Sequence, residues 1–97
     1  LRDVDARQLF FRRFKGKIIK LVVPEEAYPP TITFSYEEDG GLKTRWCFYD
    51  EKYYDTLKEA ITSNKTVNIL VVRYLIGSKE DPKTVIEEWV DDIWIES

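Results

Sequence analysis

The chain has 97 residues, 43% hydrophobic and 34% charged, with a formal net charge of −3. That length supports one small domain around a single core, and the composition argues against a disordered chain. The sequence contains no histidine, so the usual near-neutral proton shuttle and the commonest transition-metal ligand are both missing.

Residues 4–14, VDARQLFFRRF, predict a short helical arm. Asp3 or Asp5 would cap it, and Val4, Leu9, Phe10 and Phe14 would form its buried side. Gly16 ends that pattern, and a helix this short needs a surface to dock on. Residues 17–23 are rich in β-branched side chains and read as a first strand, stopped by Pro24. Pro24, Pro29 and Pro30 exclude regular structure from the next connection. Residues 31–36 then alternate, with Ile32, Phe34 and Tyr36 on one side and Thr31, Thr33 and Ser35 on the other.

Asp39, Gly40 and Gly41 supply a tight hairpin turn, and residues 42–49 return antiparallel. Leu42, Thr44, Trp46 and Phe48 form one face of this strand; Lys43, Arg45, Cys47 and Tyr49 form the other. Trp46, Phe34, Phe48 and Tyr36 are assigned to the core. Asp50 is a good helix cap, followed by Tyr53, Tyr54, Leu57, Ala60 and Ile61 at helical spacing, with Ser63-Asn64 ending the helix. Residues 66–76 read as a long strand, apolar on nearly both faces. The last stretch, 84–95, has a helix-like spacing of Val85, Ile86, Trp89, Val90, Ile93 and Trp94, and a strand-like content of β-branched and aromatic residues. We read it as a strand, with a bulge near Glu87-Glu88 or Asp91 reconciling the two.

Three strands, one helix and two further strands make a mainly β domain whose element order resembles the oligonucleotide/oligosaccharide-binding (OB) barrel. The resemblance covers residues 15–97, with residues 1–14 as the helical arm and the one helix between strands three and four. It implies a five-stranded barrel used as a binding module, its recognition surface on strands two and three. By position that surface holds Thr31, Thr33, Ser35, Lys43, Arg45 and Tyr49. The framing loops are residues 24–30, with Tyr28, and residues 77–83, with Lys79 and Lys83. Lys43 and Arg45 would meet phosphates, and Tyr49 or Tyr28 would stack on a base.

Charge is segregated. Residues 1–20 hold seven basic and two acidic side chains, whereas residues 78–97 hold two basic and seven acidic. Arg7, Arg12, Arg13 and Lys15 make the arm a candidate for docking on another chain. The acidic residues of the framing loops, Glu25, Glu26, Glu80 and Asp81, oppose phosphate.

Cys47 is the only cysteine, so there is no internal disulfide and no imidazole to activate the thiol. The acidic clusters lack the ligand spacing of a calcium loop, and no phosphate-binding glycine motif is present. No cofactor or metal is implied, and no apolar run approaches the length of a membrane span. A chain without methionine points to a fragment or processed product. Together these features predict a non-catalytic OB-like module, cytoplasmic or nuclear, that binds another protein or a further domain of its own. The alternative is single-stranded DNA or RNA on the strand 2–3 face.

Overall fold

A computed structural model describes residues 4–78 and 84–96, with side chains described over 10–77 and 85–96. The chain forms a mainly β, closed five-stranded barrel with strand order β1-β2-β3-β5-β4. The strands are β1 (Val4–Leu21), β2 (Thr31–Glu38), β3 (Gly41–Phe48), β4 (Thr66–Ser78) and β5 (Thr84–Ile95). A 3-10 turn (Glu51–Tyr53) and the helix α1 (Tyr54–Thr62) lie between β3 and β4. Lys79 and Lys83 lie outside the described residues. No described helix is long and apolar enough to cross a membrane.

The helix expected over residues 4–14 is instead the first half of β1, paired with β4 from Val4↔Ser78 to Lys17↔Thr66. The physical reason is visible in FFRRF. Phe14 is buried and Phe11, Arg13 and Lys15 are exposed, a period of two. The apolar strand beside it supplies backbone partners that an isolated short helix cannot match. β1 runs through residue 14 without a break and carries on to pair with β2, from Gly16↔Tyr36 to Leu21↔Ile32.

Gly16 sits where β1 is shared by both neighbours, and it is a contact point rather than a helix breaker. A Cβ there would lie 1.7 Å from the backbone oxygen of Ser35, so only glycine lets the strands approach so closely.

The core joins Phe14, Ile18, Ile32, Phe34, Cys47, Tyr49, Val67, Ile69, Val71, Val90 and Ile93 to Leu57 and Ala60 of α1. Phe14 meets Phe34 at 5.2 Å and Tyr36 at 4.9 Å, both edge to face, a geometry that adds to the burial term. Asp50 caps the 3-10 turn through Lys52 N at 3.0 Å. Asn64, with φ of 51°, ends the helical segment in the left-handed conformation, and Lys65 N donates to Ala60 O at 3.0 Å. Because α1 leaves β3 and enters β4, it stops the barrel end near Tyr49 and Val67.

β5 is the strand read from composition, and the bulge falls at Asp91. Its register passes from Leu70↔Asp92 to Val71↔Val90, which turns both Val90 and Ile93 inward. Tyr53 donates its hydroxyl to the Asp91 carbonyl at 2.5 Å, tying the bulge to the helical segment.

Gly16→Ala is expected to cost about 3 kcal/mol or more, or to prevent folding, because backbone must move to admit the methyl. Gly41→Ala, whose Cβ would meet nothing nearer than 3.8 Å, should change stability little. Urea denaturation of the two variants checks the contrast.

Candidate functional site

The hairpin decides which side chains reach solvent. Asp39 and Gly40 take φ of 53° and 76°, the two-residue turn that pairs Glu38 with Gly41. Every even-numbered residue of β2 then faces an odd-numbered residue of β3. Ile32↔Cys47 and Phe34↔Arg45 point inward; Thr33↔Trp46 and Ser35↔Thr44 point outward.

Two expectations are corrected by this parity. Trp46 and Phe48 are not core residues: Trp46 is 58% exposed and Phe48 half-buried on the outer face. Tyr49 is not a stacking platform: it is fully buried, and its hydroxyl donates to Val22 O at 2.7 Å. Thr33 and Ser35 therefore lie on the outer face, while Lys43, Arg45 and Tyr49 lie on the inner side of β3. Tyr28 is exposed on the loop between β1 and β2. Lys17 pairs in register with Ser35 and Lys20 with Thr33, so the outer face gains two exposed lysines that form no ion pair among the described residues.

The basic residues of the expected arm divide the same way. Arg12 faces in, forms an ion pair with Glu38 and stacks over Phe14 at 4.5 Å. Arg13 faces out over Trp94 at 5.4 Å, and Lys15 pairs with Glu96 at 3.0 Å. Arg7 pairs in register with Leu75. Arg12, Arg13 and Lys15 do not form one continuous basic patch.

The barrel closes between β3 and β5 through one parallel pairing, Phe48↔Trp89. Phe48 packs on Trp89 at 5.2 Å and on Trp46 at 5.4 Å, and Trp89 Nε1 donates to Glu87 Oε1 at 3.0 Å. Towards the hairpin the two strands part, leaving a cleft of about 360 Å³ lined by Thr44, Arg45, Trp46, Ile86, Glu87 and Glu88. Leu42 (73% exposed) and Ile86 (58%) carry the apolar surface onward.

The floor of the cleft is ionic. Glu88 accepts from Arg73 Nε at 2.9 Å and lies 2.8 Å from Arg73 Nη2; its other oxygen is 3.7 Å from Arg45 Nε. Arg45 stacks over Phe14 at 5.0 Å and Arg73 over Phe10 at 4.4 Å. Nη1 of Arg45 is buried with no hydrogen-bond partner. Arg12 and Lys43 hydrogen-bond Glu38 and hold its carboxyl below the usual carboxylate range.

No protein family, no curated protein and no solved structure matches this chain. The site rests on its geometry, which offers backbone groups, apolar contacts and fixed cations. Among the described residues no cluster of His, Cys, Asp or Glu is placed to hold a metal.

Burial pushes the Cys47 thiol from 9.0 up to about 12 and the Tyr49 phenol from 10.0 up to about 12. Both groups are buried neutral. The unfolded chain releases their protons first, so their contribution is whole below pH 9 and is lost as pH rises through 12. The melting temperature should fall across that window. The double variant Cys47→Ala, Tyr49→Phe should fall less steeply, as thermal melts across the same pH range will show.

Proposed function

We propose that this chain is a non-catalytic binding module that holds another polypeptide, belonging to a partner protein or to a further domain of its own. The supporting observation is the parted β3–β5 seam, where exposed Trp46 and Ile86 line one cleft and Leu42 is exposed further along β3. Exposed apolar side chains gathered at one place on a small domain mark an interaction surface. The strand order, with a helix between β3 and β4, is compatible with an OB-like barrel, a scaffold used mostly for binding. An intracellular setting, cytoplasmic or nuclear, and function without a cofactor belong to the same proposal.

A second reading is favoured by one feature of the outer face. Trp46 stands beside Thr33, Ser35 and Thr44, with Lys17 and Lys20 on the adjoining strand, the combination of aromatic platform and cation that holds single-stranded nucleic acid. Lys43 is already paired with Glu38 at 3.2 Å, and Arg45 lies on the inner side of β3, away from this face. The net charge of −3 and Glu87 at the cleft weigh against phosphate.

Affinity capture with the wild-type chain and with Leu42→Ser/Trp46→Ala as baits, beside anisotropy with labelled single-stranded DNA and RNA over a salt series, separates the readings. The proposal expects a polypeptide that the double variant fails to retain, and no salt-sensitive oligonucleotide binding. Oligonucleotide binding that weakens steeply with salt and is lost in Lys17→Ala/Lys20→Ala establishes the second reading instead.

A further inference from the structure

We infer that the free edge of β3 accepts an extended strand from the partner polypeptide, and that this strand alternates acidic with apolar residues. The inference deepens the polypeptide-binding reading and rests on it.

The backbone supplies the first part of the argument. In a hairpin closed by a two-residue turn, the residues flanking the turn exchange both hydrogen bonds, and hydrogen-bonded pairs then recur at every second position. Gly41, Lys43, Arg45 and Cys47 thus spend their N–H and C=O groups on β2, whereas Leu42, Thr44, Trp46 and Phe48 direct theirs away from it. Phe48 finds β5. Among the described residues, Leu42 and Thr44 have no strand partner on that side. β3 also carries no proline and no bulge to turn a strand away, so the usual guards of a sheet edge are missing. Main-chain addition to such an edge is a recurrent mode of peptide recognition.

The side chains specify the partner. A strand laid along β3 places its residues opposite those of β3 on the same face. On the outer face it meets Leu42 and Trp46, with Ile86 across the cleft, so its outward residues are apolar. On the inner face it meets Arg45, and beside it Lys43, whose charge is already paired with Glu38 at 3.2 Å. Arg45 reaches Glu88 only at 3.7 Å and keeps a buried Nη1 without an acceptor. A carboxylate on the incoming strand satisfies that donor once the Arg45 side chain, part of the cleft wall, turns toward it. The same charges argue against a second copy of this chain. Pairing β3 antiparallel with another β3 about Thr44 sets Lys43 opposite Arg45 twice, and like charges directly opposite destabilise a ladder.

The test uses the full chain labelled with 15N and three capped eight-residue peptides: alternating glutamate and valine, alternating lysine and valine, and the glutamate peptide N-methylated at every second residue. The glutamate peptide is expected to shift the amides of Leu42 and Thr44 and to bind about fivefold more tightly than the lysine peptide, from the cross-strand charge pair with Arg45. N-methylation in the register that blocks the ladder should remove binding, and Arg45→Gln should narrow the preference between the two charged peptides. Equal binding of both charged peptides, shifts that bypass Leu42 and Thr44, or no shift at millimolar glutamate peptide overturns the inference. So does dimerisation of the chain alone with the same amides protected, which would give the edge to a second copy. If the peptides fail while Leu42→Ser/Trp46→Ala still abolishes capture of a polypeptide, strand addition falls and the interaction reading stands. If capture is indifferent to that variant as well, both fall.

Discussion

One parallel pairing, Phe48 with Trp89, closes the barrel, and the character of the molecule follows from how little backbone it uses. Every other seam is a long antiparallel ladder, the longest running from Val4↔Ser78 to Lys17↔Thr66. At the β3–β5 seam, side chains replace the ladder. Three aromatic rings, Trp46, Phe48 and Trp89, pack in sequence over the outside, while Arg45 and Arg73 converge on Glu88 beneath. A seam held at one point can close a barrel and still leave edge backbone free beyond that point. This is why exposed Trp46 and Ile86 line one cleft beside the parted seam.

The ionic floor carries its own constraint. Glu88 is largely covered, and a carboxylate in that position is tolerable only if its partners are well placed. Arg73 meets it with two close contacts, whereas Arg45 approaches from a greater distance and leans on the Phe14 ring. The two arginines are therefore not equivalent: one completes the fold, and the other retains unused hydrogen-bonding capacity at the edge of the cleft. At the opposite end α1 seals the barrel with Leu57 and Ala60, and Tyr49 is held at both its amide, to Pro30 O, and its hydroxyl, to Val22 O. The domain thus has one apolar, closed end and one charged, partly open end.

Much of this architecture was legible in the residues. The alternation of Ile32, Phe34 and Tyr36, the Asp39-Gly40 turn, the Asp50 cap and the Asn64 stop each act locally, and local signals survive into the fold. The bulge at Asp91 was legible because a helix-like spacing in a strand-forming composition requires an extra residue somewhere. Hydrophobicity alone assigns Trp46 and Phe48 to the core and so inverts the faces of β3. The turn length already contained the answer: two residues between Glu38 and Gly41 force Phe34 to share a face with Arg45 and leave Trp46 outside. The strand at residues 4–14 was hidden for a different reason. Phe10 and Phe14 fit a helical face as well as a pleated one, and only pairing with a strand some sixty residues away decides between them.

The central claim is that β3 is laddered on one side and free on the other up to Phe48. Hydrogen exchange resolved at single amides of the unliganded chain tests it most directly. The account predicts slow exchange at Lys43, Arg45 and Cys47 and exchange at least ~100-fold faster at Leu42 and Thr44, a strict alternation along one strand. Uniformly slow exchange from Leu42 to Cys47 would contradict it, because the edge would then already be paired.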